Sequence, residues 1–160
     1  MNGVRSALGT LAPLTLALAA SWPALSATSL KTDTLCINDH PHPISVEIAD
    51  TFELRANGLM QRERLAEHQG MWFTYNQERP SHAGFWMYNT LIPLDIAYLD
   101  RSMKIVKIIT MEPCRSIDRN RCPAYPPGVP YFSAVELNKD YFARYNIQEG
   151  RYFKRCEQGE

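Results

Sequence analysis

FWMYNTLIPLD, residues Phe85 to Asp95, sets large apolar side chains on both sides of a bend. Pro93 removes a backbone donor and restricts its predecessor, and Asn89-Thr90 is turn chemistry. Phe85–Tyr88 and Leu94–Leu99 are therefore expected as strands around the NTLIP bend. Asp100-Arg101-Ser102 then suits a hairpin turn into Lys104–Thr110, a run rich in β-branched residues.

The same period continues outward. Ile44, Val46 and Ile48 alternate with Ser45, Glu47 and Ala49, and Met71, Phe73 and Tyr75 alternate with Trp72 and Thr74. Thr34–Asn38, Phe132–Leu137 and Arg151–Glu157 complete the strand pattern, while Asn76–Gly84 reads as loop. Asp50 stands three residues before Glu53, the spacing of a capping box, so a short helix is expected over Thr51–Asn57 with Gly58 as its left-handed stop. Asn138 is placed to cap one helical turn through Arg144. About seven short strands with one or two short helices predict a mainly β domain, a single compact sandwich or barrel.

The first 27 residues have the form of a secretory signal: Arg5, an apolar stretch Leu11–Ala20, a Trp22-Pro23 break and small residues for cleavage. The apolar core is shorter than a membrane span requires. Residues 28–160 then form one domain, expected in the periplasm or outside the cell, with no span after cleavage. Its charges, 16 Lys+Arg once Arg5 is removed against 17 Asp+Glu, are interleaved. No concentrated positive field argues for nucleic-acid binding.

Cys36, Cys114, Cys122 and Cys156 all fall in the exported part, which argues for two disulfides in an oxidising compartment. Three pairings are possible. The favoured one joins Cys114 to Cys122, closing a proline-rich loop, and Cys36 to Cys156, joining the first and last strands. Chain entropy gives roughly 2.6 kcal/mol for the small ring and about 4.9 for the large one.

GLMQR (Gly58–Arg62), GMWF (Gly70–Phe73) and FWMYNTLIPLD occur in that order. Together they resemble domain-of-unknown-function family 192, a likeness spanning Val46 to Arg151. The resemblance implies a mainly β architecture and places Arg62 and Asp95 in shared motifs. Where relatives carry Gly-Ile and then Gly-Asp, this chain has Asn146-Ile147 and Gly150-Arg151. Asn tolerates a left-handed backbone, so the first change is mild.

Asp95 is the leading candidate for chemistry, because a carboxylate in an apolar segment must be paired or hydrogen-bonded. It is expected either in a ligand site or accepting backbone bonds from the NTLIP bend. Arg62 would grip an anionic ligand, or tie its turn to Asp95 or Glu47. Trp86, Asn89 and Thr90 complete the expected ligand-binding set, and Trp72, Trp86 and Tyr88 could form an aromatic platform. Glu47 and Glu136 read as solvent-face residues of their strands, and His40, His42, His68 and His82 as exposed loop residues. Met60, Met71 and Met87 read as core. No nucleophile motif, cofactor signature or metal-ligand spacing is present.

The expected function is a non-catalytic module for an unidentified small molecule or envelope component, with a cleft around Arg62 and Asp95. The alternative is a cell-envelope saccharide hydrolase using Asp95 with Glu47 or Glu136. A third possibility is an assembly factor whose motifs are purely structural.

Overall fold

The computed structural model describes residues 30–157. The predicted leader, residues 1–27, lies outside them. Nine strands and two short helices run in the order β1 (Thr32–Ile37), β2 (Ile44–Ala49), α1 (Phe52–Asn57), β3 (Gln69–Arg79), β4 (Phe85–Trp86), β5 (Leu94–Leu99), β6 (Ile105–Met111), β7 (Ala124–Tyr125), β8 (Tyr131–Asn138), α2 (Tyr141–Arg144) and β9 (Phe153–Arg155). Seven strands form one sheet, ordered β6-β5-β8-β3-β2-β1-β9, and β4 pairs with β7 in a separate ribbon. The main sheet curls until its ends approach. Lys104 bridges Tyr152, and Ile105 exchanges backbone hydrogen bonds with Gly150 and Arg151.

Among the strands of the described residues, only β2 and β3 pair in parallel. Parallel neighbours need a long crossover, and residues 50–68, which carry α1, supply it. Thr51, one residue later than the expected cap, closes the helix start by accepting from the Leu54 N–H at 3.2 Å. Asp50 instead pairs with Lys31. Gly58 ends the helix at φ 50°, ψ −136°, a conformation that disfavours any Cβ.

Register sorts the side chains into two apolar layers. The inner face carries Val46, Trp72, Ala97, Val135 and Leu137 and is plugged by Tyr141 and Phe142 of α2. The outer face carries Ala49, Met71, Phe73, Ile96, Tyr98 and Ala134. Long connections and the β4/β7 ribbon cover it, so Met87 and Tyr131 are buried there too. The central strands β5 and β8 are thus covered on both sides, β5 throughout.

Gly70 of GMWF has a packing reason. A Cβ there would stand 2.2 Å from the Glu136 carbonyl oxygen, so β3 and β8 approach this closely only with glycine. The disulfides join Cys36 to Cys156 and Cys114 to Cys122, with Cα separations of 5.1 and 5.6 Å. Asn146 adopts φ 51°, as its substitution for glycine predicts. Arg151 pairs with Asp39.

Several local expectations change. β3 extends through Asn76–Arg79, and β4 stops at Trp86. Asp140, in the left-handed region, rather than Asn138 holds the residue position before α2, while Asn138 donates its side-chain amide to the Leu65 and Ala66 carbonyls. His40, His42 and His68 do not stand apart. Their rings lie within 6.2 Å of one another, and the Tyr141 hydroxyl meets His40 Nε2 and His68 Nδ1 at 2.9 and 3.0 Å. Among the described residues no group of three His, Cys, Asp or Glu is placed to hold a metal ion.

Candidate functional site

Strand register separates Arg62 from Asp95. Glu47 aligns with Met71, and Met71 with Glu136, which aligns with Ile96, so these four share the outer face. Asp95 precedes Ile96 and aligns with Leu137, which puts it on the inner face. Arg62 donates to Glu47 at 2.5 Å, on the outer side. The two residues therefore do not border one cleft. The same alternation separates Asp95 from both Glu47 and Glu136, so neither pair expected for glycoside hydrolysis could flank one bond.

Asp95, only 3% exposed, accepts from the Thr110 hydroxyl at 2.7 Å and from the backbone N–H groups of Asp140 and Phe142. The Asp140 side chain makes no cap bond, so a carboxylate from β5 caps α2 in its place. Burial raises the Asp95 pKa, partly offset by the Thr110 bond, while the nearby Asp140 charge raises it further. The partners of Asp95 lie at the β6 edge and the α2 corner rather than in the NTLIP bend. That bend is closed by its own backbone: Thr90 and Cys114 both donate to the Met87 carbonyl. Asn89, at φ 54°, presents its carbonyl to the Gln61 N–H at 2.8 Å and so ties GLMQR to the bend.

Trp86 and Thr90 do come together, around Glu136, a carboxylate considered above only as a solvent-face residue or as the hydrolase partner of Asp95. Glu136, expected on a solvent face, is 4% exposed. It lies on the floor of a small recess under Gly58–Met60, with Thr90, Phe73, Trp86 and Arg55 around it. Burial alone, with no charge or hydrogen bond opposing it, pushes its pKa from 4.5 up to about 8. At neutral pH its carboxyl is therefore mostly protonated, a hydrogen-bond donor without a partner among the described residues. The recess itself has room for about one water-sized group, ≈ 20 Å³.

Outside that recess, and sharing Arg55 and Trp86 with it, runs a groove of ≈ 460 Å³ bordered by Phe52, Tyr75 and Arg79. A register shift between Thr74 and Arg79 opens this space, because it carries the end of β3 out of regular pairing with β8. Trp86 is 38% exposed and lies 6.0 Å from Tyr88. Trp72 is buried on the inner face and belongs to no exposed platform.

Fold and site define a small, doubly disulfide-bonded β-domain with a polar recess set in an otherwise apolar outer layer. The chain belongs to domain-of-unknown-function family 192 (DUF192, Uncharacterized ACR), whose model matches residues 34–154. Among solved structures it is similar to a candidate transcription regulator from Sinorhizobium meliloti 1021, at 25% identity and TM-score 0.70, covering 79% of this chain and 95% of that one. It is also similar to a protein of unknown function from Novosphingobium aromaticivorans DSM 12444, at 29% identity and TM-score 0.67, covering 84% and 94%. No curated protein matches the chain.

Proposed function

We propose that the protein is an exported, non-catalytic module that binds a small ligand across the groove and places a polar end of it in the Glu136 recess. One observation carries the reading: a buried carboxyl with no protein hydrogen bond opens onto the recess, beside a groove of ligand size. Leaving such a group unpaired costs about 1–3 kcal/mol, which a ligand acceptor would recover. Pockets of this type, mostly apolar with a few convergent polar groups and a perturbed acid, are where binding sites occur. Two disulfides suit an oxidising compartment and support export. Among the described residues no helix is long and apolar enough to cross a membrane.

The regulator description belongs to the Sinorhizobium protein. Here 17 Lys+Arg are balanced by 17 Asp+Glu, which speaks for a small-molecule ligand rather than a polyanion. The test is a thermal-shift screen of the oxidised protein against small acids, amides and envelope fragments. Hits are retitrated against Glu136→Gln and Thr90→Val. Binding weakened about tenfold or more in a folded variant supports the site; hits indifferent to both substitutions refute it.

A further inference from the structure

Arg55 and Arg79 both stand against the Tyr75 ring, their guanidinium carbons 4.8 and 5.0 Å from its centroid. Neither takes part in a salt bridge among the described residues. Arg55 spends one N–H on the Thr74 carbonyl at 2.9 Å. The Arg79 Nε is buried and has no hydrogen-bond partner. Two guanidinium groups outside any salt bridge among the described residues border the same groove. Its remaining walls are apolar and open, with Phe52 75% exposed and Trp86 38% exposed. α1 buries none of its residues and so leaves this wall free.

We infer that the groove binds a small organic anion, a carboxylate joined to a planar or acyl apolar body, with the carboxylate on Arg55 and Arg79 and the body between Phe52 and Trp86. The charge balance favours this class. The guanidinium pair contributes two positive charges, each geometrically suited to a carboxylate. A cation would meet like charge, and a neutral apolar molecule would leave both guanidinium charges without a salt-bridge partner. Glu136 does not cancel the field at neutral pH, because its proton is retained. Tyr75 fixes both cations by cation–π contact, so little side-chain freedom is lost on binding. The inference rests on the recess reading only for where the ligand's other end lies.

The test uses 2-naphthoate as probe, with 2-naphthylmethanol as its uncharged analogue and acetate as the anion without a body. The full oxidised chain is titrated by NMR, following the Trp86 indole N–H and the Arg79 Nε–H. Saturable naphthoate shifts at both groups are expected, with the alcohol at least tenfold weaker and acetate silent at Trp86. Arg79→Gln should weaken naphthoate about tenfold or more and leave the alcohol unchanged. Because Arg55 also holds the Thr74 carbonyl, its contribution is read from salt: added NaCl should weaken naphthoate and not the alcohol. Equal affinity for naphthoate and its alcohol overturns the inference, as does an Arg79→Gln protein that binds naphthoate normally, or no binding at millimolar probe. Glu136→Gln separates the two claims. Naphthoate binding that needs Arg79 but ignores Glu136 at pH 6 and pH 9 keeps the anion site and refutes the recess.

Discussion

Replacing Glu136 by Gln should remove a large pH dependence of stability. In the unfolded chain this carboxyl titrates near 4.5, and in the native protein near 8. A raised acid pKa means that the native state holds the proton more tightly. The native protein therefore loses stability as pH rises from the lower value to the higher, and loses no more above it. At about 1.4 kcal/mol per pH unit the loss is roughly 3 kcal/mol by pH 7 and between about 4 and 5 beyond pH 8, both upper values. Glutamine keeps the shape and hydrogen-bonding capacity but has no charge to desolvate. Urea unfolding of the wild-type and Glu136→Gln proteins, each oxidised, from pH 4 to pH 9 measures the difference. The variant should gain on the wild type steadily between pH 4.5 and pH 8, with unchanged urea dependence of ΔG. Parallel stability curves would refute the reasoning, because they would mean that Glu136 ionises freely in the folded state.

Other substitutions separate structure from binding. Asp95→Asn should cost about 1–3 kcal/mol by weakening the α2 cap and speed amide exchange at Asp140 and Phe142, while ligand binding at the recess persists; a stable variant without binding would return Asp95 to the site. Gly70→Ala should cost about 3 kcal/mol or more, since its methyl group meets the Glu136 carbonyl at 2.2 Å; a neutral effect in urea unfolding would contradict the β3–β8 packing. Replacing Cys36 and Cys156 by Ser should lower stability by up to about 4.9 kcal/mol, against about 2.6 for the Cys114/Cys122 pair. Equal losses would contradict the loop-entropy ordering.

Much of the architecture was legible because half of it obeys simple alternation. Ile44, Val46 and Ile48 showed β2, and Leu94–Leu99 showed β5. The disulfides followed from where Cys36 and Cys156 fall among the terminal strands. The site was less legible because the outer face is covered by connections rather than by a second sheet. β8 is buried on both sides, so Glu136 looked like an ordinary solvent-face residue. A signal was present: in YFSAVEL, Tyr131–Leu137, Glu136 is the only charged residue in a run that otherwise reads as buried strand. Asp95 drew notice for that same reason, but its partners at Asp140 and Phe142 are distant in sequence and emerge only from folding. Arg62 was expected to grip an anionic ligand or to tie its turn to Asp95 or Glu47. The parallel β2–β3 register, which alternation within either strand does not reveal, places Glu47 beside Arg62. Arg79 was missed because Asn76–Gly84 read as loop, and Arg55 because nothing in the α1 sequence marks which residues of β3 it meets.

The most direct measurement follows the Glu136 side-chain carboxyl carbon by NMR from pH 4 to pH 10, with and without saturating 2-naphthoate. Its midpoint should lie near 8 in the free protein and move upward with the anion bound, since a neighbouring negative charge and a bond from the protonated carboxyl both favour the neutral form. A free-protein midpoint near 4.5, or one that naphthoate binding leaves in place, would contradict a ligand site built around this carboxyl.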